Sequence, residues 1–234
     1  MIQATSPLVS IIVPVFNEAA TVSSVINRLI NIDLPSPREI IVVNDGSTDG
    51  TRAALDAMPP NPAVSIIHSD RNRGKGHAVR TGLARSRGSV VAIQDADLEL
   101  DPSQLTGLVA PVVSGQADVI YGSRFLSPTN APFMTVAGNK LLTAITNALF
   151  GSSLTDMETC YKVMRGDIAR SLVLSADRFD IEPEITARLL LGGHRIVEQP
   201  VRFAARSRSA GKKMRWRDGW MALRILVSQR LRRR

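Results

Sequence analysis

Hydrophobic positions along this chain switch repeatedly between two periods. Val9-Ser10-Ile11-Ile12-Val13 is a short, nearly unbroken apolar run, the mark of a strand buried on both faces. Val22, Val25, Ile26, Leu29 and Ile30 then recur at helical spacing. Glu39 to Val43 reads as a second strand, closed by the turn-rich Asn44-Asp45-Gly46-Ser47-Thr48-Asp49-Gly50. A short helix and the breaker Pro59-Pro60-Asn61-Pro62 lead to a third strand, Val64 to His68. Gly76 to Ser86 predicts a helix, and Ser89 to Gln94 a fourth strand. Pro102 to Ser114 is helical, with proline at a tolerated first-turn position, and Asp118 to Gly122 is a fifth strand.

Strands alternating with helices predict right-handed βαβ crossovers, hence an α/β fold with a Rossmann-like, mostly parallel sheet covered on both faces. After Arg124 the rhythm changes. Pro128 to Pro132 is a loop, and Thr135 to Phe150 a helix with Leu141, Leu142, Ile145, Ala148 and Leu149 on its apolar side. Ile181 to Leu191 is another helix, and Arg195 to Phe203 an extended stretch interrupted by Pro200. No linker-like segment divides the chain, so residues 1–234 read as one domain.

Composition narrows the picture. At 234 residues and 44% hydrophobic, the chain can bury a sizeable core, and it carries no internal repeat. Met1 to Val9 lacks the basic flank of a signal peptide, and no apolar run approaches the roughly twenty residues that span a bilayer. The one cysteine, Cys160, excludes an internal disulfide framework and fits a reducing, cytoplasmic compartment. His68, His77 and His194 lack ligand spacing, which argues against a His/Cys zinc site. The net charge of +8 is unevenly placed: Arg202 to Arg234 holds twelve Lys or Arg against Asp218 alone, a net +11, leaving −3 for the body. Such an end seeks phosphates, whether of a nucleotide, a lipid surface or a nucleic acid.

Strand ends carry the candidate chemistry. In a parallel sheet, loops after successive strands leave from one edge and converge on one crevice. Pro14-Val15-Phe16-Asn17-Glu18 follows the first strand, Asp45 the second, Arg71-Asn72-Arg73-Gly74-Lys75-Gly76 the third, and Asp95-Ala96-Asp97 the fourth. Asp45 can accept hydrogen bonds from a nucleobase edge. Arg73 and Lys75, beside glycines that admit close backbone approach, suit a polyanion. Asp95 and Asp97, hard oxygen donors one residue apart, suit a divalent cation that holds a diphosphate.

The segments VSIIVPVFNE, IIVVNDGSTDGT, NRGKGHAVRTG and IQDADLELDP together resemble the family-2 glycosyltransferases of GT-A fold. They are most similar to the polyprenyl- and dolichyl-phosphate mannosyl- or glucosyltransferases, and the likeness continues through YGSRF, LTDMETCYKVM, FDIEPEI and RSAGKKMRWRDG. The resemblance implies a nucleotide-sugar-binding half over 1–125, an acceptor half over 126–203, and a basic loop with an amphipathic helix over 204–234. It implies an inverting hexose transfer from a nucleotide-sugar donor (GDP-mannose or UDP-glucose) to a polyprenyl phosphate. By position, Pro14, Phe16, Glu18 and Asp45 would line the nucleoside pocket. Asp95, Asp97 and Glu99 would meet Mg²⁺ or Mn²⁺, and Arg124 the acceptor phosphate. Many relatives carry a further basic residue before Gly138-Asn139-Lys140, where this chain has Phe133-Met134-Thr135; Lys140 or Arg202 are the candidates to replace it.

In such a transfer a bound cation stabilises the departing diphosphate as a Lewis acid, and Lys212 and Lys213, in a Ser209-Ala210-Gly211 loop able to close, would add charge there. A hydroxyl acceptor would need a base, for which Asp156 or Glu158 is placed, whereas a lipid phosphate is already ionised. At the carboxyl end Trp216 and Trp220 share a helical face with Leu223, Leu226 and Val227, and Arg215, Arg217, Arg224 and Arg230 occupy much of the rest. A basic amphipathic helix of this kind predicts peripheral attachment to the cytoplasmic face of a membrane. Two other readings differ in kind: a soluble transferase acting on a hydroxyl, and a nucleic-acid-binding protein. Against the latter, the body lacks a basic face with interleaved aromatics, and aromatic content is 4%.

Overall fold

The structure, a computed structural model, describes residues 7–205 and 216–231, without the side chains of 216–218. Seven strands form one sheet: β1 (Val9–Val15), β2 (Arg38–Asn44), β3 (Val64–His68), β4 (Val90–Ile93), β5 (Val119–Ser123), β6 (Lys162–Arg165) and β7 (Ile196–Pro200). Their spatial order is β3-β2-β1-β4-β6-β5-β7. Neighbours pair in parallel except β6, which runs antiparallel to both β4 and β5. The alternating pattern to Gly122 is borne out within a residue or two at most ends. β6 and the short helix after it went unread in the sequence, because both lie in a stretch of four- to six-residue elements with a lysine in the strand.

The helices are α1 (Val22–Asn31), α2 (Thr51–Asp56), α3 (Lys75–Arg85), α4 (Leu105–Val113, after a 3₁₀ turn at Pro102–Gln104), α5 (Phe133–Phe150), α6 (Gly166–Ser171), α7 (Ile181–Leu191) and α8 (Trp216–Leu231). Side chains alternate along β1: Val9, Ile11, Val13 and Val15 enter the core under α1 and α4, and Ile12 faces α3 and α7 with Val79, Leu83 and Ile185. Gly82 lets α3 approach β1 closely, since a Cβ there would lie 2.4 Å from Ile12 Cγ2.

A smaller cluster of Leu154, Met157, Ala187 and Leu226 joins α5, α7 and α8, with Leu142 and Leu149 of α5 packed against it. The two amphipathic helices match their sequence reading in part, since Leu142 and Leu149 pack inward and Trp220 and Val227 are exposed. Leu226 and Ala222 of α8 are buried in the protein, and Leu141 of α5 is exposed, because this cluster selects a face of each helix that periodicity alone does not specify. Among the described residues no helix is long and apolar enough to cross a membrane.

Gly82→Val forces α3 off β1, and a loss of about 1–3 kcal/mol in unfolding free energy is expected, read from denaturant midpoints; an unchanged midpoint would contradict the packing described.

Candidate active site

Strand order reverses between β1 and β4, whose neighbours lie on opposite sides, and the crevice opens at their carboxyl ends. A cavity of 570 Å³ lies there. Its wall includes Pro14, Phe16, Glu18 and Asp45 from the β1 and β2 ends, Lys75 from α3, Asp95, Asp97 and Glu99 after β4, Arg124 after β5, and Glu158 before β6. The sequence-predicted residues from four strand ends are thus brought together. Arg73 is not on this wall; its side chain is exposed and its contribution is made by the backbone. Lys140 is exposed outside the cavity, as is Arg202, and Lys212 and Lys213 lie outside the described residues.

Asp45, buried at the end of β2, accepts hydrogen bonds from the backbone N–H of Arg73 (3.1 and 3.0 Å) and of Gly74 (2.6 Å). Gly74 has φ +114°, and a Cβ would meet the Asp177 carbonyl at 2.3 Å, so only glycine fits this turn into α3. The turn delivers Lys75, whose Nζ lies 2.6 Å from Asp95 Oδ1 and 2.9 Å from Glu182 Oε1. Burial by itself would lower the lysine's pKa; Asp95 and Glu182 outweigh it and hold the ammonium above its ordinary range.

Glu182, in the first turn of α7, also takes Lys162 Nζ at 2.5 Å. Lys162 is fully buried, and its remaining donors go to the carbonyls of Thr159 and Met157. Burial would raise the Glu182 pKa, but the two lysines overcome it and hold the carboxyl below its usual range. A run of alternating charges, Asp95–Lys75–Glu182–Lys162, therefore extends from the cavity floor into the core. The sequence reading missed Glu182 and Lys162; their signal was an acid and a base inside otherwise apolar segments, which only pairing explains.

The loop after β4 is anchored by Gln94. Its Oε1 accepts from Tyr161 Oη at 2.8 Å, and its Nε2 donates to the Leu100 carbonyl at 3.2 Å. Asp97 Oδ1 accepts from the Glu99 N–H at 3.1 Å, closing a tight turn. Among the described residues no three or more His, Cys, Asp or Glu side chains gather into a metal cage. Asp95 and Asp97 fit instead a hard cation whose shell is completed by ligand oxygens and water.

Arg124 closes the other end. Its Nε and Nη2 each donate at 2.7 Å to the two oxygens of Asp156, and its backbone N–H donates to Oδ2 at 2.9 Å. Asp156 is fully buried, and its own N–H donates to Glu198 Oε1 at 2.9 Å. The guanidinium carbon stands 5.6 Å from the Phe125 ring centroid and 5.4 Å from that of Phe203. Burial works against the charge, yet Asp156 keeps it fully protonated. Between the two ends lies Glu158, where burial first, then Glu182 and Asp156, against Lys162 and Arg124, raise the pKa to about 7. Arg178 and Phe179, also missed in the sequence, complete the wall.

The profile described as Glycosyl transferase family 2 matches residues 10–173. The chain belongs to that family. An undecaprenyl-phosphate mannosyltransferase of Micrococcus luteus is 30% identical over 216 residues, covering 86% of this chain and 85% of the relative. A polyprenol monophosphomannose synthase of Mycolicibacterium smegmatis is 28% identical over 214 residues, 86% of this chain and 79% of the relative. A hexosyltransferase of low-salt glycan biosynthesis from Haloferax volcanii is 27% identical over 95% of this chain, which spans 54% of that relative. Among solved structures, glucosyl-3-phosphoglycerate synthase of Mycobacterium tuberculosis, in complex with Mn²⁺, UDP and phosphoglyceric acid, superposes with a TM-score of 0.74 at 19% identity, over 96% of this chain and 78% of that one. The protein is thus a glycosyltransferase with the GT-A fold.

Glu158 sets a pH test for this family-2 site. Its folded pKa of about 7 lies above the ordinary 4.5, so the native state binds more protons than the unfolded one between those values. Its contribution to stability is present below pH 4.5 and lost as pH rises through 7. Glu158→Gln is expected to stabilise the chain relative to the parent by up to about 3 kcal/mol at pH 8, with the difference vanishing near pH 4.5, as read from unfolding free energies. A difference independent of pH would contradict this.

Proposed function

We propose that this enzyme transfers a hexose, with inversion, from a nucleoside-diphosphate sugar to a polyprenyl phosphate. The observation that carries the proposal is the polarity of the cleft. The Asp95/Asp97 pair stands at one end, and at the other a partly buried arginine is clamped by Asp156 and flanked by two phenylalanine rings. A fixed, desolvated guanidinium with an aromatic surround suits a phosphate carried on an apolar chain. The two mannosyltransferase relatives, named for undecaprenyl phosphate and for polyprenol monophosphomannose, support the same acceptor class.

Pro14, Phe16, Glu18 and Asp45 would receive the nucleoside, with Asp45 also holding the 73–74 turn beneath it. A divalent ion, Mg²⁺ or Mn²⁺, would be held by Asp95 and Asp97 with Glu99 beside them, and would supply Lewis-acid stabilisation of the diphosphate leaving group. The M. tuberculosis neighbour was solved with Mn²⁺ and UDP, which supports that cofactor class. Lys75 and Arg178 offer further positive charge on the wall. Asp156 spends both oxygens on Arg124, which takes it out of the role of base for a hydroxyl acceptor and leaves Glu158 as the other candidate.

The lipid would reach Arg124 along α5. Phe133, Met134 and Leu141 are 81%, 76% and 63% exposed on this helix, and Pro132, Thr135 and Asn139 beside them line the cavity. Trp220, Val227 and Leu231 of α8, at 66%, 40% and 62%, add to the exposed apolar side. An anionic bilayer surface is the partner proposed for it, with the basic residues of 204–234 adding attraction.

Two outcomes are expected. Asp97→Ala lowers kcat/KM with a polyprenyl phosphate about a thousandfold, whereas Asp156→Asn raises KM for that lipid about tenfold and changes kcat less than about threefold. Equal loss of kcat in both would point to a hydroxyl acceptor. In low-salt co-sedimentation with anionic phospholipid vesicles, the triple variant Phe133→Ser, Met134→Ser, Leu141→Ser pellets several-fold less than the parent; equal pelleting would remove α5 from the membrane face.

A further inference from the structure

The other carboxylates at the floor of the cleft are paired in the protein, Glu182 Oε1 through its 2.9 Å ion pair with Lys75 rather than a hydrogen bond. Asp45 is held by backbone N–H groups, Asp95 by Lys75, Glu182 by Lys75 and Lys162, and Asp156 by Arg124. Glu158 lines the same cavity, yet its Oε1 is buried and has no hydrogen-bond partner among the described residues. Lys162, the nearest buried ammonium, has no donor left for it, since Glu182 and the carbonyls of Thr159 and Met157 use all three. A buried acceptor left unpaired costs stability and calls for an explanation.

Its place in the cleft supplies one. The charged groups around Glu158 are Glu182 and Lys162, tied through Lys75 to Asp95, and Arg124 with Asp156 at the opposite end. Glu158 just precedes β6, which lies between β4 and β5, and so stands between the proposed diphosphate and acceptor-phosphate positions. A carboxylate repels both anions, and of the groups the transfer brings between them the hexose is the one rich in O–H donors. We infer that Glu158 recognises the hexose in transit, its free carboxylate oxygen accepting a hydrogen bond from a sugar hydroxyl. This deepens the proposed function and rests on the reading of the cleft as a sugar-nucleotide site. A carboxyl near its midpoint of ionisation at neutral pH is also able to donate to the same hydroxyl.

Calorimetric titration in the presence of Mn²⁺, with UDP, UDP-glucose, GDP and GDP-mannose, tests it on the parent chain and on Glu158→Ala and Glu158→Gln. In Glu158→Ala the affinity for the sugar nucleotide is expected to fall about tenfold or more, while that for the matching nucleoside diphosphate stays within about twofold. Glu158→Gln, which keeps an acceptor oxygen, loses less. Preserved diphosphate binding shows that each variant is folded. Unchanged sugar-nucleotide affinity in both variants, or equal weakening of both ligand types, overturns the assignment. Failure of all four ligands to bind the parent overturns the sugar-nucleotide reading, and this inference with it.

Discussion

Burying a charge is tolerable only when an opposite charge and hydrogen bonds are buried with it. The architecture of this glycosyltransferase turns on that condition. Lys162 has no exposure, and Glu182 almost none; each is tenable because the other is 2.5 Å away. Glu182 in turn stabilises Lys75, and Lys75 reaches Asp95 on the cavity floor. Three elements far apart in sequence, α3, β6 and α7, are therefore locked in mutual register by electrostatics that apolar packing would leave free to slide. Asp95 is held by the same lock, so the stability of the core and the geometry of the cleft are one problem.

The same logic governs the Arg124 end of the cleft. Arg124 and Asp156 form a bidentate pair whose second layer is Glu198, which accepts from the backbone of Thr155 and Asp156. Removing any one member strands the rest. A guanidinium held this firmly loses little further freedom when it meets an anion, which favours binding by preorganisation.

Much of this was legible beforehand, and for identifiable reasons. β1, β2 and β4 are buried on both faces, so they appear as unbroken apolar runs, and the acidic groups at their ends stand out against them. Asp45, Asp95 and Asp97 stand out by that contrast, whereas Arg124 was named only through the family resemblance. Glu182 and Lys162 were not, because a charge inside an apolar segment announces a partner without saying which. β6 was missed for the same cause: Lys162-Val163-Met164-Arg165 alternates too briefly and begins with a base. Leu141 of α5 and Leu226 of α8 were misplaced where a small satellite cluster, rather than the main core, decides what is buried.

Reversal of β6 has a structural corollary. The chain leaves the sheet at the end of β5 and re-enters at β6, its immediate neighbour, with Val119 opposite Met164 and Tyr121 opposite Lys162. Everything between, α5 included, is an excursion whose two anchors are adjacent and fixed. Lengthening or shortening such an excursion costs only logarithmically in loop entropy and leaves strand alignment untouched. The fold thereby separates the fixed pairings of the sheet from a connection whose length and sequence can vary while those pairings stay in place.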